Sequence, residues 1–275
     1  MGISAAMVAA GVGAAAITHR RGAPWPVPLT LGFFAAMEAI QLAGYGVIDQ
    51  CGGSANRAVT IAAMAHIALQ PVAINLFALA LLTPALPARS RRVVIAAAAA
   101  ASAVIVLQLL PIEAFGRCAP GVALCGEALC TRSGEWHQAW DVPYNGLMVP
   151  LEAALGTRMG FPSYMIAVFV LPALYGAWRF AALNFVAGPV GSFALTADPS
   201  EGPAIWCLFS IPILAQPETE RYTEEEYIRA QYTKFEYQIP MRDGARLFTS
   251  VYAPTDRSQA YPFLMMRTPY SVRPY

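Results

Sequence analysis

The chain has 275 residues, of which 57% are hydrophobic and only 13% are charged, whereas a soluble domain carries roughly 25% charged residues. Its formal net charge of +1 gives no argument for a nucleic-acid partner. The composition instead predicts a membrane protein whose surroundings are the lipid bilayer. The charge distribution divides it into a multi-pass membrane domain (residues 1–215), an acidic linker (216–231) and a polar C-terminal segment (232–275).

Apolar stretches predict five transmembrane helices, because a helix needs roughly 20 apolar residues to cross the hydrocarbon core. The stretches are Ile3–Thr18, Val27–Ile48, Ala58–Leu82, Val93–Ile112 and Ser163–Leu183. Phe185–Leu195 and Ala204–Ala215 are each too short to cross alone. The second of these could be a clipped sixth span, a re-entrant piece or a signal-type apolar core. The predicted fold class is therefore an all-α polytopic membrane bundle of five to six spans.

Arginine placement orients this bundle, since cytoplasmic loops carry an excess of Lys and Arg. If the five spans alternate, one side of the bundle receives six arginines: Arg20, Arg21, Arg89, Arg91, Arg92 and Arg179. That side is predicted to be cytoplasmic, with the N-terminus outside. A sixth crossing from the cytoplasmic side would place the C-terminal segment outside as well. The alanine runs and the strong preference for Arg over Lys are typical of a GC-rich bacterial genome, which predicts a bacterial inner (cytoplasmic) membrane.

Four of the five cysteines fall in the two predicted external loops: Cys51, Cys118, Cys125 and Cys130. Thiols on an oxidising face predict up to two disulfides, one of which could tie the loop of Cys51 to the long loop. Four unpaired thiols are the alternative. A zinc site is disfavoured because the spacing is not a CxxC pattern, and neither a metal nor a cofactor is predicted.

Polar side chains interrupt the second and third spans. Glu38 and Gln41 lie on one face of the second span, followed by Tyr45 at i+7, while His66 and Gln70 lie one helical turn apart on the third. Intramembrane ionisable groups are costly and face a bundle interior or a cavity. They could form a site for a proton, an ion or a polar ligand, which predicts a membrane-embedded binding or transport protein. Alternatively, they form interhelical hydrogen bonds, the interpretation that the residue types favour.

The long external loop contains the stretch EWHQAWDVPYNGLMVP, which allows two interpretations. One is a metal site formed by three ionisable side chains: Glu135, His137 and Asp141. The other is a set of aromatic anchors at the membrane interface: Trp136, Trp140 and Tyr144. The anchor interpretation is favoured. Stretches such as FPSY, LYGAWRFA and LTADPSEGPAIWCLFSI also resemble uncharacterised bacterial six-span membrane proteins, to which no chemistry is assigned.

The C-terminal segment has the alternation of a β structure instead. Phe235–Ile239 and Leu247–Tyr252 are predicted strands joined by a tight turn at Asp243-Gly244, where glycine permits positive φ. Tyr261–Arg267 is a predicted third strand. The residues before them, Glu218–Tyr232, are predicted to form a solvated connector.

Two motifs in this segment, IPMRDGARLFTSVYAP and YPFLMMRTPYS, resemble the start of X-Pro dipeptidyl-peptidase/CocE-like hydrolases, and the resemblance covers about Tyr232–Tyr275. It implies an α/β-hydrolase that uses a Ser-His-Asp triad on ester or amide bonds, with Tyr270 donating a hydrogen bond to the oxyanion. The sequence contains no Gly-x-Ser-x-Gly elbow for the nucleophile. The segment is therefore expected to be a truncated hairpin-plus-strand piece that is inactive in this chain. A small ester or peptide substrate is expected only for a complete hydrolase.

Overall fold

A computed structural model describes residues 2–82, 86–215, 228–229, 231–256, 258, 260–262 and 264–266 of the chain. The chain divides into two units, Met1–Gln216 and Pro217–Tyr275. The first unit is helical with one small sheet, and the second contains a β-hairpin.

Four long helices build the first unit, and among the described residues they are the ones long and apolar enough to cross a membrane. They are α1 (Gly2–Arg20), α2 (Pro26–Tyr45), α3 (Ser54–Ala80) and α4 (Ala88–Leu109). Helices are thus present at the first four predicted spans, with ends displaced by a few residues, and their length and composition would allow them to cross a membrane. Apolar side chains such as Val12, Val93 and Val106 are exposed on their outer faces, as lipid-facing side chains would be.

The fifth predicted span is wrong as a single helix. The chain instead forms α6 (Pro162–Leu174), a turn at Gly176, and α7 (residues 178–195). Gly176 has a φ of 105°, a backbone conformation that a helix does not contain and that glycine adopts most readily. Both helices contain a π-helical segment, Ile166–Val170 in α6 and Val186–Val190 in α7.

The last apolar helix, α8 (Gly202–Leu214), does not begin on the arginine-rich side of the bundle, which the sequence predicts to be cytoplasmic. Asp198, just before it, forms an ion pair of 2.7 Å with Arg132 in the disulfide-bearing loop. We call this end of the bundle the cysteine side, and the end that carries Arg20, Arg21 and Arg89 the arginine side. The helix therefore runs from the cysteine side towards the arginine side, so a sixth crossing from the cytoplasm no longer supports an external C-terminal segment.

The long loop folds over the helix ends of the cysteine side. It contains a 3₁₀ turn (Glu113–Phe115), strands β1 (Cys130–Ser133) and β2 (Gln138–Asp141), and a short helix α5 (Val149–Leu155). The two strands pair antiparallel. Disulfides join Cys51 to Cys130 and Cys118 to Cys125. The first disulfide ties β1 to the loop between α2 and α3, which holds the β1–β2 hairpin against the bundle.

The core of the first unit lies between α2, α3 and α8 and continues into the long loop. Trp140 and Tyr144 are buried in this core, whereas Trp136 is 47% exposed. The anchor interpretation is therefore wrong for Trp140 and Tyr144, because a side chain inside the core cannot reach the membrane interface. The long loop therefore supplies side chains to the core itself.

The described residues of the second unit form a hairpin of β3 (Tyr232–Pro240) and β4 (Arg246–Pro254). Its turn contains Gly244 with a φ of 83°, and the Gly244 N–H donates to the Met241 carbonyl at 3.1 Å. The predicted hairpin is thus confirmed. The predicted third strand is not: its described residues, 261–262 and 264–266, form no strand. Most of the linker, and the predicted oxyanion donor Tyr270, lie outside the described residues.

Candidate functional site

A row of buried polar side chains follows one face of α2 towards the cysteine side. Glu38 and Gln41 are both fully buried on this face, and Tyr45 ends the helix. Two residues of the long loop, His137 and Gln138, continue the row and are buried as well. We call these five residues the polar column. The i, i+3, i+7 spacing on α2 is what places the three helical members on one side.

The outer end of the column is closed by a hydrogen bond between the helix and the loop. Tyr45 O–H and His137 Nδ1 lie 2.5 Å apart, and their rings stack with centroids 5.6 Å apart. Burial lowers the pKa of His137 to about 4, so the imidazole is neutral at neutral pH and Nδ1 can accept the Tyr45 proton. Next to this pair, the Gln138 amide lies so close to Gly44 that a Cβ there would come within 2.5 Å of Gln138 Oε1.

Glu38 is the inner member of the column and its acidic residue. It lies seven residues before Tyr45, which corresponds to roughly 10 Å along the helix axis. No described residue forms a hydrogen bond with either of its carboxylate oxygens. The Ser4 hydroxyl of α1 is close enough to the Glu38 carboxyl group to interact with it, but the two groups do not have the geometry of a hydrogen bond. The carboxyl group is therefore buried without the partners that normally accompany such burial.

The amide groups above Glu38 are also incompletely paired. Gln41 Nε2 donates to the Ala204 carbonyl of α8 at 3.2 Å, but Gln41 Oε1 has no described partner. The oxygen and the nitrogen of the Gln138 amide have none either. Unpaired polar atoms are expensive inside an apolar bundle. The unpaired oxygens and nitrogens of Glu38, Gln41 and Gln138 thus lie along this one column.

His66 and Gln70 form a separate network in which each polar atom is used. Tyr164 O–H donates to Gln70 Oε1 at 2.5 Å, and Gln70 Nε2 lies 3.4 Å from both His66 Nδ1 and Cys207 Sγ. His66 Nε2 donates to the Phe33 carbonyl at 2.8 Å, which leaves Nδ1 as the acceptor for Gln70.

This network has the character of interhelical hydrogen bonding. His66 meets α2 at Phe33, which lies five residues and roughly 7 Å before Glu38, towards the arginine side. The Phe33 ring stacks on the imidazole at a centroid distance of 3.8 Å. The structure thus separates the two ionisable residues that the sequence grouped into one candidate site. Glu38 has unfilled hydrogen-bonding capacity, whereas both ring nitrogens of His66 are occupied.

The alternative metal site is not assembled. Glu135 accepts a hydrogen bond from the Ala197 N–H at 3.1 Å, His137 is bound to Tyr45, and Asp141 pairs with Arg132 at 2.9 Å. Within the described part of the chain, no three His, Cys, Asp or Glu side chains are grouped as metal ligands would be.

Glu201 is a functional neighbour that the sequence interpretation missed. It is fully buried and accepts hydrogen bonds from the backbone N–H groups of Glu135, Trp136 and His137, and from the Thr196 hydroxyl at 2.5 Å. It therefore fixes the hairpin that carries the outer members of the polar column. An acidic residue directly before an apolar helix is the signal that the sequence contains, because carboxylates favour helix N-termini.

The comparison with known proteins covers the first unit. A model of a family of unknown function, DUF5765, matches residues 2–221, and the match ends before the β-hairpin of the second unit. No curated protein and no solved structure matches the chain, and no comparison supports the hydrolase resemblance of the C-terminal segment. Since the matched range covers most of the sequence, the chain belongs to the DUF5765 family of unknown function.

Proposed function

We propose that this chain is a membrane-embedded binding or transport protein that takes up a proton at Glu38 from the cysteine side of the bundle. The observation that carries the proposal is the burial of both Glu38 carboxylate oxygens without a hydrogen-bond partner among the described residues. A carboxylate charge left alone in an apolar interior is strongly unfavourable. It must therefore be balanced by one positive charge, either a bound proton or a monovalent cation.

A proton fits this site better than a cation does. A proton binds to one carboxylate oxygen and needs no coordination shell, whereas a metal cation needs several oxygen ligands around one point. The other unpaired atoms are instead divided between Gln41 on α2 and Gln138 in the long loop. Amide groups that follow one another along the polar column can hold the waters through which a proton moves between Glu38 and the Tyr45–His137 pair.

Carbodiimide labelling tests this proposal. Dicyclohexylcarbodiimide is apolar and reacts with protonated carboxyl groups. In this reaction the carboxylic acid adds across a C=N bond of the carbodiimide. We expect mass spectrometry to find the adduct on Glu38, to find less of it as the pH rises, and to find none in Glu38→Gln. The peptide that contains Glu201 is the internal control, because that carboxylate is held by four donors.

The labelling experiment also separates the two positive ions. If the rate of Glu38 labelling falls with added Na⁺ but not with choline at the same ionic strength, Na⁺ competes with the proton and the site binds both ions. An unlabelled Glu38 at every pH, or labelling that does not change with pH, would refute proton exchange at this residue.

For the C-terminal segment we propose a second function on its resemblance alone, namely that it opens an α/β-hydrolase domain acting on ester or peptide bonds. The β3–β4 hairpin with its Asp243-Gly244 turn agrees with this proposal. A Gly-x-Ser-x-Gly elbow encoded in frame after residue 275 would support it, together with labelling of that serine by a fluorophosphonate. A stop codon there, in the source genome, would remove the hydrolase proposal and leave the membrane function untouched.

A further inference from the structure

A groove with a volume of about 250 Å³ runs along the outside of the first unit between α4 and α6. Ala97 and Ala101 line it from α4, and Ile166, Leu171 and Leu174 line it from α6. Every lining residue is apolar except Ser163, whose hydroxyl is buried. Since an apolar cavity of roughly 150 Å³ holds benzene, this groove has room for a longer piece of hydrocarbon.

The groove is open towards the lipid-facing surface of the bundle. Leu174 and Ile166 in its wall are 78% and 45% exposed, and Ala97 is exposed on the opposite side. The π-helical segment Ile166–Val170 forms part of the α6 wall, and single π-helical turns occur often at functional sites. A hydrocarbon chain can therefore enter sideways from the surrounding bilayer.

The length of the groove matches one leaflet of a bilayer. Its α6 wall extends from Ser163 to Leu174, which corresponds to roughly 16 Å along the helix, and half of the hydrocarbon core is roughly 15 Å thick. The Leu174 end lies towards the arginine side, because a Cβ on Gly176, in the turn that follows, would be 4.0 Å from Leu82 Cδ2 just after α3. The groove therefore fits an acyl chain of the arginine-side leaflet.

Positive charge without a described counter-charge lies beyond this end of the groove. Three arginines in the first turns of α4 precede Ala97 by five to eight residues, roughly 8–12 Å along the helix. They are Arg89, Arg91 and Arg92. All three are exposed, and no described carboxylate forms an ion pair with them. The sequence has no acidic residue in 50–112 or 153–197, so neither α4 nor α6 supplies one.

From this arrangement we infer a binding site for one anionic phospholipid of the arginine-side leaflet. One acyl chain lies in the groove and the phosphate pairs with the α4 arginines, as in other basic pockets between transmembrane helices. A helix of a second copy fits less well, because it is roughly 10 Å across, whereas the volume and length of the groove correspond to a channel about 4 Å wide. The site goes beyond proton binding at Glu38 and does not depend on it.

Native mass spectrometry of the full-length protein in detergent tests the headgroup part. The probes are phosphatidylglycerol and phosphatidylcholine with the same acyl chains. We expect one phosphatidylglycerol to bind at a concentration at least tenfold lower than phosphatidylcholine, since each arginine near the phosphate contributes about fivefold. The triple variant Arg89→Gln, Arg91→Gln, Arg92→Gln should remove this preference. Two controls should leave it within twofold: Arg20→Gln with Arg21→Gln, on the same side, and Glu38→Gln.

A pair of phenylalanine variants tests the groove. Ala97→Phe places a ring in the groove and should weaken phosphatidylglycerol binding at least tenfold. Ala99→Phe is the matched control, because Ala99 is exposed and lies roughly 200° further around the helix, so binding should stay within twofold of the wild type. Equal binding of the two lipids, an undiminished preference in the triple arginine variant, or equal effects of the two phenylalanine variants would overturn the inference.

Photolabelling of the wild-type protein locates the lipid without any substitution. The probe is phosphatidylglycerol with a diazirine in one acyl chain, diluted into phosphatidylcholine nanodiscs. Illumination releases N₂ and leaves a carbene that inserts into a nearby C–H bond. We expect adducts on peptides that contain Ala101, Ile166 or Leu171, and we expect excess phosphatidylglycerol, but not phosphatidylcholine, to suppress them. Adducts spread evenly over α1 and α4, or an unlabelled groove in dimers that Ala97→Phe dissociates, would overturn the inference.

Discussion

Replacing Glu38 by methionine should make the protein more stable, although a residue of the proposed site is lost. Methionine has a similar length and carries no group that needs a hydrogen bond. Glu38 keeps two carboxylate oxygens buried with no described partner, and each such group costs about 1–3 kcal/mol. Since waters could offset part of this cost, we expect Glu38→Met to raise the free energy of unfolding by about 2–4 kcal/mol.

The matched control is Glu201→Met at the other buried carboxylate. Glu201 accepts four hydrogen bonds from the loop and from Thr196, so its removal leaves those donors unpaired. We expect a loss of at least about 3 kcal/mol. The free energies are measured by denaturant titration in the same detergent. If Glu38→Met destabilises the protein as much as Glu201→Met does, Glu38 is a structural hydrogen-bonding residue and the proposed site is wrong.

Three further results are expected. Removing the Cys51–Cys130 disulfide, whose cysteines are 79 residues apart, should lower the free energy of unfolding by about 4.5 kcal/mol through loop entropy. Removing Cys118–Cys125, whose cysteines are only 7 residues apart, should lower it by about 2.5 kcal/mol. Urea titrations of the two double alanine variants check this order. Burial lowers the pKa of His137 from 6.5 to about 4, so stability should be full above pH 6.5 and fall by about 3 kcal/mol as the pH drops to 4, and His137→Gln should flatten this slope. A reporter fused after Ala215 should fluoresce as green fluorescent protein and be inactive as alkaline phosphatase, because α8 runs towards the arginine side; the opposite pattern would contradict this direction.

Sequence patterns predicted the parts of the fold that depend on local composition. The first four spans follow from length and hydropathy, and the β3–β4 hairpin follows from alternation around Asp243-Gly244. The break at Gly176 was missed because the apolar run Ser163–Leu183 continues through it. Its position depends on how α6 and α7 pack, which a hydropathy pattern does not contain.

In the candidate site, too, the sequence predicted what depends on one helix and missed what depends on tertiary contacts. Periodicity placed Glu38 and Gln41 on one face, because both lie on one regular helix. Periodicity could not show that the ring nitrogens of His66 have hydrogen-bond partners in Phe33 and Gln70, whereas the Glu38 carboxyl group has no described partner. Nor could it identify Glu201, whose backbone N–H donors lie more than 60 residues earlier in the chain. Hydrogen-bond satisfaction depends on tertiary contacts, so only the folded structure distinguishes these roles.

Infrared titration of the purified protein tests the central claim, that Glu38 binds and releases a proton, most directly. A protonated carboxyl group gives a C=O stretching band that is separate from the bands of carboxylates and amides and that shifts on deuteration. We predict a band that disappears as the pH is raised, that is absent in Glu38→Gln and that persists in Glu201→Gln. A band that does not titrate, or that remains in Glu38→Gln, would contradict the claim.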